Sequence, residues 1–207
     1  MMKTHLILVF AGISLFTNFT FAQTPFERLG QKAMTGGQFS VAAGYFEKAY
    51  ANDRTNMNAL WLMGYSSYHA ADYKKSIEAF DRLLAMKPTE TAAYYYRGKA
   101  KVLYASSFKD YKSTDREKLL LGAIKDFSSA LDLTPTDYKL FQNRALAYQE
   151  YALYKSQKIA DVYNKTAAIN ACNASIADFQ KVLEESGYRR DIMAQIEKTK
   201  QLLSDIK

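Results

Sequence analysis

Residue types that could carry out catalysis or bind a metal ion are scarce in this chain. It has two histidines, His5 and His69, and one cysteine, Cys172, whereas a His/Cys metal site needs several such ligands together. The sequence contains no C-x-x-C, H-E-x-x-H, G-x-S-x-G or phosphate-binding Gly-rich motif. We therefore predict no enzymatic activity, no metal site, no cofactor and no small-molecule substrate.

The composition predicts a folded, mostly helical protein with a basic surface. The 207 residues are 48% hydrophobic and 24% charged, with only 9 glycines and 3 prolines, and the formal net charge is +7. Such a chain is too apolar to be disordered and has few helix breakers. The positive charge leaves a second class of function open, which is binding of an anionic polymer or membrane surface. The densest basic cluster is Arg97, Lys99, Lys101, Lys109 and Lys112.

The first 22 residues have the features of a secretory signal peptide. Lys3 precedes an apolar run, Leu6–Phe16, and the small residues Thr20 and Ala22 stand at positions −3 and −1 of a cleavage site. We expect cleavage near Ala22 and export to the periplasm or the exterior, which argues against nucleic acid as a partner. An uncleaved membrane anchor is the alternative, although polar residues interrupt the run before the roughly 20 apolar residues of a membrane span.

Two spacings recur along the rest of the chain, which indicates a repeat protein. One is a small residue, a phenylalanine four residues later and a small or apolar residue three further on; its phenylalanines are Phe46, Phe80, Phe127 and Phe179. The other precedes it and ends on a small residue, at Gly30, Gly64, Gly98 and Ala145. Each pattern places one apolar face on a helix, and the small residue allows a second helix to approach closely. Pro88 and Pro135 are expected to end second helices.

These motifs resemble the tetratricopeptide repeat (TPR), a helix-turn-helix unit of about 34 residues. The resemblance covers essentially all of the chain after residue 22. It implies an all-α fold, a right-handed α-solenoid of about four TPR units plus a C-terminal capping helix. The predicted units are residues 23–56, 57–90, 91–137 and 138–189, and the predicted capping helix is 190–207.

The third and fourth units are longer than the first two, because residues are added between their two helices. We expect these residues to lengthen the helices, with Thr114-x-x-Glu117 as a capping box at the start of a long second helix. Flexible loops at 105–114 and 157–166 are the alternative. Cys172 is predicted to be a small buried residue of the fourth unit, with an exposed thiol as the alternative.

Arginine and aspartate occur together in the third and fourth units and are missing from the equivalent positions of the first two. Arg97 and Arg144 precede the small residue of the first helix, and Asp126 and Asp178 precede the phenylalanine of the second. Arginine can bind a carboxylate through two parallel hydrogen bonds. We therefore predict Arg97–Asp126 and Arg144–Asp178 ion pairs, with separately solvated charges as the alternative.

The resemblance also implies a binding surface, because the first helices of TPR proteins line a concave face that binds peptides or helices. The matching positions that form the predicted site are Trp61, Tyr65, Tyr68, His69, Tyr95, Lys99 and Gln142. Large aromatic rings give much contact area at low ordering cost, and Lys99 is expected to meet an acidic residue. The expected partner is an apolar or aromatic segment of another exported protein. The alternative is that these rings pack between neighbouring repeats.

Overall fold

The computed structural model describes residues 24–110 and 112–206, so the predicted signal peptide lies outside the described residues. All regular secondary structure in this part of the chain is α-helical. Its helices are Pro25–Thr35 (α1), Phe39–Asn52 (α2), Met57–His69 (α3), Tyr73–Met86 (α4), Thr91–Ser107 (α5), Thr114–Leu133 (α6), Tyr138–Ser156 (α7), Lys165–Ser186 (α8) and Arg190–Ile206 (α9).

Consecutive helices pack into four hairpins that stack in chain order. The pairs are α1–α2, α3–α4, α5–α6 and α7–α8, and each pair also packs against the next one, with α9 covering the end of the stack on α8. Each hairpin lies within one of the predicted units, and α9 occupies the predicted capping segment. The prediction of an all-α solenoid with a C-terminal capping helix is confirmed.

The small residue of each first helix is needed because a phenylalanine of the second helix lies directly against it. A Cβ added at Gly30, Gly64 or Gly98 would lie 2.8–2.9 Å from the ring of Phe46, Phe80 or Phe127. These three rings and that of Phe179 are essentially inaccessible to solvent. The recurring spacing is therefore a packing constraint inside each hairpin.

The added residues of the third and fourth units lengthen their helices, as predicted. Helices α1 to α4 have 11–14 residues, whereas α5 to α8 have 17–22. The extended ends have a small core of their own, in which Ala105, Leu120, Tyr154 and Val162 are buried. The connections that remain are short, at residues 108–113 and 157–164.

The predicted capping box at the start of α6 is wrong. Thr114 is the first helical residue, and the N-cap is Ser113, whose side chain makes no capping hydrogen bond. The Glu117 carboxylate accepts hydrogen bonds from the Tyr151 hydroxyl at 3.0 Å and from Lys155 Nζ at 3.3 Å. Glu117 is thus held by α7 instead of turning back to the start of its own helix.

The C-terminal helix closes the stack with a narrow apolar face. Ile192 and Ile196 are buried on α9, and Leu203 and Ile206 pack near Cys172. Cys172 is fully buried, as predicted, and burial raises the pKa of its thiol.

Candidate functional site

The first helices of neighbouring units lie side by side, with α5 in contact with both α3 and α7. The predicted site residues lie on three first helices. Helix α3 carries Trp61, Tyr65, Tyr68 and His69, α5 carries Tyr95 and Lys99, and α7 carries Gln142. Solenoid packing therefore brings residues that are far apart in sequence onto neighbouring helices.

The aromatic residues of α3 pack around a ring that the sequence analysis did not include. Trp61 and Tyr65 stack with ring centroids 5.2 Å apart. Tyr96 of α5 stands edge-on to Trp61, Tyr65 and Tyr68, at 6.0, 5.2 and 5.4 Å. Tyr96 was missed because the family's pattern assigns the neighbouring Tyr95 to the groove; the available signal was the Tyr94-Tyr95-Tyr96 triplet.

Each of these rings contributes to packing between repeats and keeps part of its surface open. Trp61 also meets the buried Phe80 edge-on at 6.5 Å, and Tyr96 lies almost parallel to Phe80 at 6.1 Å. All four aromatic residues of the α3–α5 cluster remain partly accessible. Trp61, Tyr65, Tyr68 and Tyr96 therefore form a fixed aromatic wall, whose accessible side is a preorganised surface.

Lys99 lies at the edge of the aromatic wall between two tyrosine rings. Its Nζ is 5.2 Å from the ring centroids of both Tyr68 and Tyr95, a favourable distance for a cation–π contact. Burial favours the neutral amine, but the combined interactions with Tyr68 and Tyr95 outweigh it and raise the pKa of Lys99. Lys99 is therefore a cation at neutral pH.

No carboxylate of the described residues forms an ion pair with Lys99. The other strongly shielded cations do have such partners: Arg97 and Lys101 meet Asp126, Arg144 meets Asp178, and Lys155 meets Glu117. Within residues 24–110 and 112–206, the contacts recorded for the Lys99 charge are with the aromatic faces of Tyr68 and Tyr95. A carboxylate supplied from outside would complete its environment.

An apolar cavity of about 200 Å³ opens beside Lys99, between α5 and α7. It is lined by Tyr68, Lys99, Val102, Leu103, Phe127, Asn143 and Leu146. This shape and lining suit one apolar side chain, with polar atoms at the rim. No single motif contains these residues, since they come from four helices, so the sequence alone did not predict the cavity.

His69 and Gln142 lie at the margins of the site. The exposed His69 ring is 4.4 Å from Tyr65 and 4.9 Å from Phe39. Partial burial and the nearby Lys99 charge lower the pKa of His69. The Gln142 side chain accepts a hydrogen bond from Arg189 Nη1 at 3.0 Å, so it belongs to the end of the surface near α9.

The structure brings together both arginine–aspartate pairs. Arg97 donates from Nε to Asp126 Oδ2 at 3.0 Å and from Nη2 to Oδ1 at 2.5 Å. Arg144 donates to the two oxygens of Asp178 at 2.7 and 2.8 Å. Each pair joins the two helices of one hairpin in bidentate geometry.

Each arginine also bonds to the second helix of the preceding unit, which the sequence analysis did not anticipate. Arg97 donates to Asp81 of α4 at 2.7 Å, and Arg144 donates to Ser128 of α6 at 3.0 Å. Lys101 adds a further hydrogen bond to Asp126 at 2.8 Å. The signal in the sequence was that Asp81 and Ser128 both directly follow a repeat phenylalanine.

Among residues 24–110 and 112–206, no group of three or more His, Cys, Asp or Glu residues is arranged to hold a metal ion. No helix within these residues combines the length and apolar character that crossing a membrane requires.

The fold is similar to those of solved TPR proteins. A thermophilic TPR protein of Thermus thermophilus aligns with a TM-score of 0.51 at 17% identity, over 85% of this chain and 97% of that one. A crystal structure of MamA aligns with a TM-score of 0.55 at 18% identity, over 87% and 91%. MamA from Desulfovibrio magneticus aligns with a TM-score of 0.54 at 14% identity, over 87% and 94%.

No protein-family model matches the sequence, and no curated protein sequence matches it significantly. At identities below 20%, the structural likeness defines the fold and carries no function with it. The chain has the fold of a TPR solenoid, and its function must be argued from its own surfaces.

Proposed function

We propose that this protein is a non-catalytic scaffold that binds a peptide or helix of another exported protein in its concave groove. The observation that carries the proposal is the position of Lys99 at the mouth of an apolar cavity, as a shielded cation with no carboxylate partner among the residues that the structure describes. Solenoid proteins commonly present such extended concave surfaces to their partners.

The site supports a specific ligand chemistry. The cavity takes one bulky apolar side chain against Val102, Leu103 and Leu146, and Lys99 binds a carboxylate one or two residues away in the same segment. Charge-assisted hydrogen bonds are the stronger kind, especially where water is partly excluded. The aromatic wall then supports the rest of the segment by contact with Trp61 and Tyr65.

The predicted signal peptide supports a location for this activity. Cleavage near Ala22 would deliver the mature chain to the periplasm or the exterior, so the partner would be an exported or envelope protein.

The alternative reading, in which the basic cluster binds an anionic polymer or membrane surface, has less support. Arg97 and Lys101 are both paired with Asp126, and Arg97 is also paired with Asp81. Of the five basic residues in that cluster, Lys99 lies in the groove between tyrosines. The cluster is therefore not a continuous field of free cations.

Selection from a random peptide library with the purified protein tests the proposal. We expect the enriched peptides to combine a bulky apolar residue with Asp or Glu. Tyr95→Ala and Lys99→Met should each weaken binding of the best peptide by about 2 kcal/mol or more, with little change in melting temperature. Leu121→Ser, at an exposed leucine of α6, is the matched control. Enriched peptides without acidic residues, or equal binding by all the variants, would contradict the proposal.

A further inference from the structure

The N-terminal end of the stack exposes side chains at positions that are less accessible in most of the later repeats. Arg28, Leu29 and Lys32 form one exposed stripe on α1, and Val41 is exposed beside it on α2. Leu29 and Val41 are 43% and 50% accessible. We call these four residues together with Lys48 the N-terminal face.

The equivalent positions of the later repeats contact the preceding hairpin. Residues that correspond to Lys32 are Ser66, Ala100 and Ala147, and all three are completely buried. Residues that correspond to Leu29 are Met63, Arg97 and Arg144. Met63 is buried, and the two arginines bond to the preceding hairpin. The Leu29 and Lys32 positions of the N-terminal face therefore correspond to positions that lie against the preceding hairpin in the later repeats.

Contacts between repeats show which chemistry such a helix presents. Asp81 of α4 binds Arg97 of the next repeat, and Glu47 of α2 binds Lys75 of the next repeat, each at 2.7 Å. In both cases a second helix offers a carboxylate to a cation on the following unit. Arg97 and Lys75 are equivalent to Leu29 and Val41, so these two positions are apolar on the N-terminal face, and its cations on α1, Arg28 and Lys32, flank Leu29 instead.

The N-terminal face carries three cations and no carboxylate partner for them. Within the described residues, Arg28, Lys32 and Lys48 form no ion pair. Lys48 lies instead over the rings of Phe26 and Tyr45, at 5.8 and 5.7 Å. The nearby carboxylates are engaged elsewhere, since Glu27 accepts hydrogen bonds from Thr24 and Asn56.

We propose that the N-terminal face docks an acidic amphipathic α-helix of another protein, in the manner of the second helix of a preceding repeat. The apolar stripe of that helix covers Leu29 and Val41, and its flanking Asp or Glu residues pair with Arg28, Lys32 and Lys48. This surface is separate from the concave groove, and the inference does not depend on the proposed function.

Two other occupants fit the charge of this face less well. Residues 1–23 contain no Asp or Glu, so they cannot neutralise the three cations. If the N-terminal faces of two copies packed against each other, their six cations would lie close together. The opposite end of a second copy offers α9, whose exposed residues include Lys198 and Lys200 as well as acids. An acidic helix satisfies both the apolar and the charged parts of the surface.

The test uses the full chain and two synthetic helical peptides of about 18 residues, or about 27 Å. Both peptides have the same Leu/Ala stripe, flanked by Glu in one and by Lys in the other. We expect the Glu peptide to bind with one-to-one stoichiometry in fluorescence anisotropy, and to bind more weakly as salt is raised. Leu29→Ser/Val41→Ser and Lys32→Glu/Lys48→Glu should each weaken this binding at least tenfold.

Matched controls separate this surface from general stickiness and from the groove. Leu121→Ser, Lys125→Glu/Lys198→Glu and Tyr95→Ala should leave binding of the Glu peptide unchanged. Because Leu29 and Val41 are exposed, their double variant should keep the melting temperature of the parent, which shows that it folds.

Several results would overturn the proposal. They are no binding of the Glu peptide, equal binding of the Lys peptide, and binding that survives both face variants. Two further results would assign the face to another occupant: dimers in light scattering, or retention by anionic vesicles, provided that Leu29→Ser/Val41→Ser abolishes them.

Discussion

Arg97 binds both carboxylate oxygens of Asp126 while its remaining nitrogen binds Asp81, so one guanidinium joins α4, α5 and α6. The Asp126 side chain is only 3% accessible. This shielded pair sits where the first two repeats have Leu29 or Met63 opposite Tyr45 or Ala79. Repeats 3 and 4 thus place a charged pair at this helix–helix interface, and repeat 2 places the buried Met63 and Ala79 there, whereas Leu29 of repeat 1 is exposed.

Breaking the Arg97–Asp126 pair should be costly because it leaves charges buried without a partner. Asp126→Asn removes the carboxylate partner of the shielded Lys101 and reduces the pairing of Arg97 to the exposed Asp81, so we expect a loss of about 3 kcal/mol in the free energy of unfolding. A double-mutant cycle with Arg97→Met, measured by urea unfolding, should give a coupling of about 1 kcal/mol or more.

The exposed Lys181–Glu184 pair on α8 is the control for this cycle, because both of its side chains are more than half accessible. Its coupling should not exceed about 0.5 kcal/mol. If the Arg97–Asp126 coupling were equally small, the two charges would be energetically independent despite their geometry.

Gly64→Ala should destabilise the protein because the space beside this glycine is occupied. The added Cβ would lie 2.9 Å from the Phe80 ring, so either the ring or the helix must shift, at a cost of about 1–3 kcal/mol. Gly44→Ala is the control in α2, where nothing lies within 4 Å, and it should stabilise by about 0.5–1 kcal/mol. Thermal unfolding of both variants tests this explanation. If helix propensity alone decided the outcome, both variants would be stabilised; the close contact with Phe80 predicts that Gly64→Ala is destabilised.

The Tyr151 hydroxyl should lose its proton at an unusually high pH. Burial and its hydrogen bond to Glu117 raise the pKa of Tyr151 to about 12. In the unfolded chain its pKa is about 10, so the stability that this group contributes is complete below pH 10 and is lost as the pH rises toward 12. Tyrosinate absorbance, compared between the parent and Tyr151→Phe, measures this titration. Glu117→Gln should lower the pKa of Tyr151, and an unchanged value would contradict the contribution of Glu117.

His69 should report on the charge of Lys99. Partial burial lowers the pKa of His69, and the positive charge of Lys99 lowers it further. The resulting stability is present above the ordinary histidine pKa and is lost as the pH falls through the lowered value. Lys99→Met should raise the pKa of His69 in an NMR titration, whereas Lys109→Met, at an exposed lysine of the α5–α6 connection, should not. If the pKa of His69 were the same in both variants, the charge of Lys99 would not contribute to it.

The repeat architecture was predictable because it depends on local spacing. The contact between a small residue, such as Gly64, and a phenylalanine ring, such as Phe80, lies within one hairpin. It recurs in each unit, so its spacing is visible in the sequence. The Arg97–Asp126 pair was predictable for the same reason, since both residues change together from one repeat type to the other.

Features that depend on several units at once were not predictable from spacing. The contacts that Tyr96 makes with α3, and the cavity beside Lys99, form only when α3, α5 and α7 lie side by side. Glu117 has the spacing of a helix cap, but the extension of α7 places Lys155 and Tyr151 within its reach. A long-range partner thus replaced the local one that the motif suggested.

The most direct test of the groove as the binding site is a map of where a selected peptide touches the protein. Methyl NMR spectra of the Leu- and Val-labelled full chain would be recorded with and without the best library peptide. The largest shifts should fall on Val102, Leu103 and Leu146, which line the cavity, and should disappear in Lys99→Met. Largest shifts at Leu121 of α6, which is exposed and does not line the cavity, would contradict binding in the concave groove.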